Sequence, residues 1–208
     1  MTRLDRLLPP AQPGKAWTAC FDGGEVLRLP EGTVADFALY AGMELEEEAL
    51  ASLRESAAYM ALRDRAVNIL SRRMLSAGTL REKMKEKGAT EEQANEIVRW
   101  AEDIGLLNDR AYAAALADYC QRKGWGYYKI KDELYRRWVP RDLWEEALEK
   151  LGDPAEAIDR FLEQKLTDPT DRKQVKKASD ALARRGFSWH QVSEGIERAR
   201  ERMRDETW

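Results

Sequence analysis

A pattern some forty to fifty residues long that returns along the chain constrains the fold more than any other feature. Residues Ala66 to Asp109 read AVNILSRRMLSAGTLREKMKEKGATEEQANEIVRWAEDIGLLND. Leu80, Met84 and Val98 are apolar there, with Ala89 and Ala94 between them. Matching positions recur as Ile130, Leu134, Val139, Trp144 and Leu148, and again as Leu182, Phe187, Val192 and Ile196. The punctuation recurs too: Gly88-Ala89-Thr90 aligns with Gly186-Phe187-Ser188 and more loosely with Trp138-Val139-Pro140. A short unit of this kind buries little surface alone, so neighbouring units must stack to build a continuous core.

Each unit reads as three helices. In the first, Ala66, Val67, Leu70 and Met74 at helical spacing predict a helix over Arg63 to Ser76, ended by Gly78. Thr79 is placed to cap a short second helix, Leu80 to Lys87, which Gly88 stops. Thr90 followed by Glu91, Glu92 and Gln93 predicts the start of a third helix running to Asp103, because a hydroxyl and early carboxylates satisfy free amide donors. In the second unit Asn108 or Asp109 is a candidate cap, and Gly124 to Tyr128 joins the first two helices. Asp153-Pro154 opens the third unit with a cap and a first-turn proline. The tail after Ile196 is highly charged and is expected to fray.

The fold class that follows is all-α, about three tandem three-helix repeats behind a small N-terminal β-hairpin plus helix extension. The expected boundaries are 1–60 for the extension, 61–109, 110–153 and 154–208 for the repeats. Pro9, Pro10 and Pro13 make residues 1–15 a loose tail. Trp17 to Phe21 and Glu25 to Leu29 flank Asp22-Gly23-Gly24 as a hairpin. Thr33 is the expected cap of a helix reaching Tyr40, and a helical pattern resumes at Glu44.

Composition excludes several classes. No apolar run approaches membrane-spanning length, and the N-terminus lacks a signal-peptide core. Cys20 and Cys120 stand far apart without a partner motif, which points to reduced thiols and a cytoplasmic protein. One histidine, His190, supplies neither a metal site nor a general base, and no nucleophile has a recognisable partner. No phosphate-cradling or dinucleotide-binding glycine pattern is present. The expectation is a non-enzyme with no cofactor, no metal and no catalytic residue, acting as a monomer.

The basic residues carry more. Arg72, Arg73, Arg81, Lys83, Lys85 and Lys87 surround the first joint of unit one. Arg122, Lys123, Lys129, Lys131, Arg136 and Arg137 occupy the same zone of unit two, and Lys173, Lys176, Lys177, Arg184 and Arg185 that of unit three. The net charge of -3 hides this, since the acidic excess sits in residues 1–65. Stacked units would align these joints as a basic strip suited to a polyanion or an acidic groove. Neutralisation by Glu82, Glu86, Asp132 and Glu133 is the bland reading, and charge alone leaves both open. Among the interleaved aromatics, Trp138, Trp144 and Tyr135 are expected to pack between units, with Trp125 and Tyr127 exposed.

The order Arg72-Arg73, Ser76, LREKMKEKG, a Glu-rich helix, GLLND-RAYA and then RKG followed by KIKDEL resembles the RecX family of bacterial regulatory proteins. The resemblance covers about residues 60–205. It departs where the family has Gly-Pro and this chain has Gly126-Tyr127, and where a Gly-Ile-like pair is replaced by Trp138-Val139. It implies a curved, elongated array that docks along the groove of the RecA–DNA filament and mainly inhibits strand exchange, ATP hydrolysis and repressor co-cleavage in the SOS response. The family's basic surface carries over best to Arg72, Arg73, Arg122, Lys123 and Lys129. The alternative is a helical-repeat protein that binds single- or double-stranded DNA directly.

Overall fold

The computed structural model describes residues 1–12 and 15–205. Four strands and ten α-helices follow among them: β1 (Thr2–Leu8), β2 (Trp17–Phe21), β3 (Val26–Leu29), α1 (Glu31–Asp36), β4 (Glu44–Leu45), α2 (Glu47–Leu70), α3 (Ala77–Glu86), α4 (Glu91–Asp103), α5 (Asp109–Arg122), α6 (Tyr127–Arg136), a 3-10 turn (Arg141–Leu143) leading into α7 (Trp144–Glu149), α8 (Pro154–Lys165), α9 (Arg172–Arg184) and α10 (Trp189–Asp205). The chain divides into two compact units, residues 1–73 with 80–106, and residues 74–79 with those from 107 onward.

In the first unit the expected hairpin of β2 and β3 is present, but it is half of a four-stranded antiparallel sheet ordered β3-β2-β1-β4. Residues 2–8 are therefore an inner strand and not a loose tail. Pro9 and Pro10 end the strand, and Leu4 and Leu7 turn toward the core while Arg3, Asp5 and Arg6 are exposed. Leu4, Ala19, Phe21, Leu29 and Leu45 form one cluster with Leu50 and Leu53 of α2. Burial of each large side chain contributes about 1.5–3 kcal/mol, which is what a two-stranded hairpin alone lacks. α1 starts at Glu31 after Pro30, two residues before the expected cap, and the Thr33 hydroxyl instead lies 2.7 Å from that of Ser56.

α2 runs without a break from the sheet into the first three-helix domain and ends at Leu70, short of Ser76. Gly78 does not terminate it and lies inside α3. The reason is Ser76, whose buried hydroxyl accepts the Thr79 N–H at 3.1 Å and so takes the capping role that Thr79 was expected to fill. The start of α4 is as expected: Thr90 accepts the Gln93 N–H at 3.2 Å, and the Gln93 side chain accepts the Thr90 N–H at 3.1 Å. Leu80, Met84, Ala94, Ile97 and Ala101 are buried at the anticipated helical spacing.

In the second unit Asn108 caps α5 through the Ala111 N–H at 2.9 Å, and Asp153 caps α8 with Pro154 in its first turn. One core gathers Tyr112, Ala117, Ile130, Leu134, Trp144 and Leu148. Another gathers Ile158, Phe161, Leu162, Leu182, Phe187 and Val192. The charged C-terminal segment is helical through Asp205, contrary to the expected fraying, and residues 206–208 lie outside the described part. Its arginines hold it: Arg198 and Arg202 share the Asp159 carboxylate at 3.0 and 3.5 Å, and Arg200 donates to the Pro169 carbonyl at 3.0 Å.

The second helix of every three-helix domain ends the same way. Gly88, Trp138 and Gly186 take φ of 91°, 55° and 87°. The following amide then returns to the helix: Ala89 to the Met84 carbonyl at 3.0 Å, Val139 to Leu134 at 3.1 Å and Phe187 to Leu182 at 3.3 Å. In the second unit two of these closures serve as seats. The Ser76 and Thr79 hydroxyls both reach the Arg137 carbonyl, Thr79 at 2.9 Å, and Gly78 rests on Trp138. The Gly126 N–H donates to the Arg185 carbonyl at 2.7 Å, and the Tyr128 N–H to that of Gly186 at 3.1 Å. So the opening turn of a second helix sits, twice, on the closure of the next domain's second helix.

The contact is made backbone to backbone, which demands small residues. A Cβ on Gly126 would lie 2.6 Å from the Phe187 nitrogen, and one on Gly186 would lie 2.6 Å from the Lys129 Cβ with φ still positive. Chemical denaturation should find Gly126→Ala and Gly186→Ala each destabilised by more than about 2 kcal/mol, with Gly23→Ala, where nothing lies within 4 Å, close to wild type.

Candidate binding surface

α6 is two-faced. Ile130, Glu133 and Leu134 face inward, while Tyr128 and Tyr135, seven residues apart, stand 58% and 65% exposed. Trp138, immediately after the helix, is 62% exposed. Tyr135 therefore does not pack between domains as expected, and Trp138 meets the neighbouring domain only where its Cβ rests on Gly78; Trp144 is buried within the second domain's own core instead, its indole N–H donating to the Val139 carbonyl at 3.0 Å. Trp125 is half-buried against the second domain's core, with the Lys129 ammonium 4.3 Å over its ring, and Tyr127 is exposed as expected.

The predicted cations separate into three kinds. Arg81 is tied down, donating to the Asn95 side chain at 2.7 Å. Arg136 and Arg137 reach the buried Glu133 carboxylate at 3.5 and 2.7 Å, and that hydrogen bond holds the Arg137 guanidinium even further above its ordinary range. Arg122 pairs with Asp118 at 3.0 Å on the open surface, a contact worth little. Arg72, Arg73, Lys83, Lys87, Lys123, Lys129 and Lys131 have no ion-pair partner among the described residues. Lys123 and Lys131 stand over aromatic rings instead, at 4.5 Å from Tyr119 and 5.8 Å from Tyr127. Arg72, Arg73, Arg81, Lys83 and Lys87 fall in the first unit, and the remaining predicted residues in the second.

Beside the Gly124-Trp125-Gly126 joint the second unit opens a cleft of about 620 Å³. Ile130, Phe161 and Phe187 supply apolar surface, and Arg122, Lys123, Arg160 and Arg185 supply cations opposite Asp153 and Glu156. The Arg185 guanidinium is fixed 4.4 Å over the Phe161 ring, and the Asp153 carboxylate is engaged by the Ala155 N–H. The cleft thus suits a segment carrying both acidic and apolar groups. Arg160 was not foreseen: its spacing marks only an exposed helix position, and its place in the cleft comes from the packing of α8. Tyr135, expected to pack between units, is exposed because Ile130 and Leu134 claim the inward face of α6.

His190 lies on the surface with Nε2 3.3 Å from the Glu194 carboxylate. Cys120 is buried, and burial first, then the Glu133 carboxylate, pushes its thiol up. Among the described residues no group of three or more His, Cys, Asp or Glu is placed to hold a metal ion, and no helix is long and apolar enough to cross a membrane.

These features define a protein of tandem three-helix domains behind a small sheet, with a cationic surface studded by aromatics. Residues 63–99 match the first three-helix domain of RecX and residues 108–148 the second, so two of the three-helix domains are those of the RecX family. It is 28% identical over 137 residues to the regulatory protein RecX of Pseudomonas fluorescens, covering 64% of this chain and 88% of the relative. With that of Escherichia coli it shares 33% over 101 residues, 44% of this chain and 61% of the relative. A crystal structure of regulatory protein RecX superposes with a TM-score of 0.73 at 21% identity, over 95% of this chain and 99% of the other. RecX from Lactobacillus salivarius gives 0.62 at 22%, over 68% and 96%. At these identities the two structures speak for the fold alone.

Two outcomes follow. Thiol labelling at neutral pH should modify Cys120 only under unfolding conditions. Trp138→Gly should keep stability within about 1 kcal/mol of wild type in thermal melts, because glycine removes the left-handed strain that a bulky residue bears there, and it should weaken whatever binding the indole supports.

Proposed function

We propose that this chain binds the RecA–DNA filament through the cationic and aromatic surfaces of its three-helix domains and damps RecA's activities: strand exchange, ATP hydrolysis and repressor co-cleavage. The observation that carries this reading, beside the RecX domain matches, is the α6 region. There Tyr128, Tyr135 and Trp138 are exposed next to Lys131, and Trp138 occupies a left-handed position where both sister closures have glycine. A bulky side chain kept at a strained site and turned to solvent is a contact group. The cleft between the second and third domains adds four cations against apolar walls, a match for an acidic protein surface. Filaments repeat their surface, so several weak contacts from one chain add by avidity. We place the protein with the filament in the cytoplasm, as a monomeric regulator that needs no cofactor.

Direct binding to DNA remains the second reading, favoured by the same interleaving of tyrosines and lysines, since aromatic faces stack on bases and cations follow phosphates. RecA's DNA-dependent ATP hydrolysis, measured against added protein at low and moderate salt, separates the two. Inhibition is expected at amounts well below one chain per RecA, weakening as salt rises. The double variant Arg122→Glu/Lys123→Glu should need about tenfold more protein for the same inhibition. No inhibition at any ratio, with free DNA bound, would transfer the function to DNA.

A further inference from the structure

The cleft beside the Gly124-Trp125-Gly126 joint lies wholly in the second unit, and hydrogen bonds within that unit hold its walls. The Gln121 side chain clasps Gly152 from both ends, donating to its carbonyl at 2.8 Å and accepting its N–H at 3.2 Å. That ties the end of α5 to the linker before α8. The Gly126 N–H on the Arg185 carbonyl, at 2.7 Å, ties the start of α6 to the end of α9. A cleft held open in this way needs little ordering when a ligand enters.

The chemistry of the cleft changes sign along α8. Asp153 and Glu156 line it at the start of that helix, and Arg160 lines it one turn further on. Glu156 and Arg160 stand four residues apart, about 6 Å along the axis, a spacing that allows a pair. Both are instead exposed, and neither is ion-paired among the described residues. Trp125, Leu151 and Ala157 are half-buried and leave apolar surface open to the cleft. A nucleic-acid strand carries a charge at every phosphate, so Asp153 and Glu156 would repel it while the cations attract it. A peptide can place a carboxylate, an apolar group and a cation singly, and so can satisfy all three parts of the lining.

We infer that the cleft takes a segment of a partner protein in which an apolar side chain stands between an acidic flank and a basic one. The apolar group meets Trp125 and Leu151, the acidic flank meets Arg160, and the basic flank meets Glu156. Arg160 is then a specificity residue, selecting the acidic flank by a charge-assisted hydrogen bond. The inference rests on the proposed filament reading, under which RecA offers the segment.

The full chain is tested as wild type, Arg160→Glu, Arg160→Lys and Lys177→Glu. The last makes the same change of charge at an exposed residue of α9 outside the cleft, and circular dichroism checks that each variant folds. One probe is a fluorescein-labelled peptide with phenylalanine between a glutamate flank and a lysine flank, made in both chain directions and followed by polarisation. The others are single-stranded DNA alone and RecA filaments assembled on it, followed by surface plasmon resonance. Arg160→Glu should weaken peptide and filament binding about tenfold, with Arg160→Lys and Lys177→Glu close to wild type and binding to DNA alone unchanged. Filament binding weakened no more by Arg160→Glu than by Lys177→Glu overturns the cleft and leaves the filament reading standing. Peptide unbound, with DNA alone bound and weakened by Arg160→Glu, overturns the protein segment and makes a strand the occupant. Peptide bound and weakened by Arg160→Glu, with no filament bound by the wild type, supports the cleft and overturns the filament reading.

Discussion

The seating of a helix start on the left-handed closure of the next domain is the contact on which the second unit depends. It joins backbone to backbone, so its strength comes from hydrogen bonds to the Arg137 and Arg185 carbonyls and from close packing at Gly78, Gly126 and Gly186. Side chains of ordinary size would push the domains apart. The same contact fixes what is displayed. With Gly126 N–H held by Arg185, the first turn of α6 is set, and Tyr128 and Tyr135 are aimed outward while Lys129 lies over Trp125. The cleft lined by Arg160 and Arg185 opens beside that joint. Domain stacking and surface chemistry are therefore consequences of one interaction.

Trp138 shows how the two can conflict. A glycine would close α6 without strain, as Gly88 and Gly186 do for their helices. The chain instead places the largest side chain there and leaves it mostly in solvent. Part of the position is structural, since the Cβ rests on Gly78. The indole beyond it contributes nothing to the second domain's core, and the strain of order 1 kcal/mol is repaid only if the ring meets a partner.

Much of this was readable from residue order. The three-helix repeat, the Thr90 capping box, the Asn108 and Asp153 caps and the joint at Gly124 to Gly126 all follow from local chemistry: short polar side chains that satisfy amides, and glycines that admit positive φ. The family's domain order was legible from the same segments. The failures share a cause. Residues 2–8 are a strand because β2 and β4 pair with them, which no local signal around Pro9 and Pro10 announces. Ser76 rather than Thr79 opens α3 because the Arg137 carbonyl, sixty-one positions away in sequence, completes its hydrogen bonding. In the candidate site, Arg72, Lys87, Lys123 and Lys131 are displayed as charge placement suggested. Arg81 and Arg137 were claimed by Asn95 and Glu133, and Arg160 entered the cleft through tertiary packing alone.

Hydrogen exchange of the chain, with and without RecA filaments on single-stranded DNA, tests the central claim that the cationic and aromatic faces of the three-helix domains are the binding surface. The account predicts slowed exchange on filament binding in peptides spanning residues 84–90 and 122–139, with the N-terminal sheet little changed. Protection confined to the sheet, or absent from both regions under conditions where the chain is bound, would contradict it.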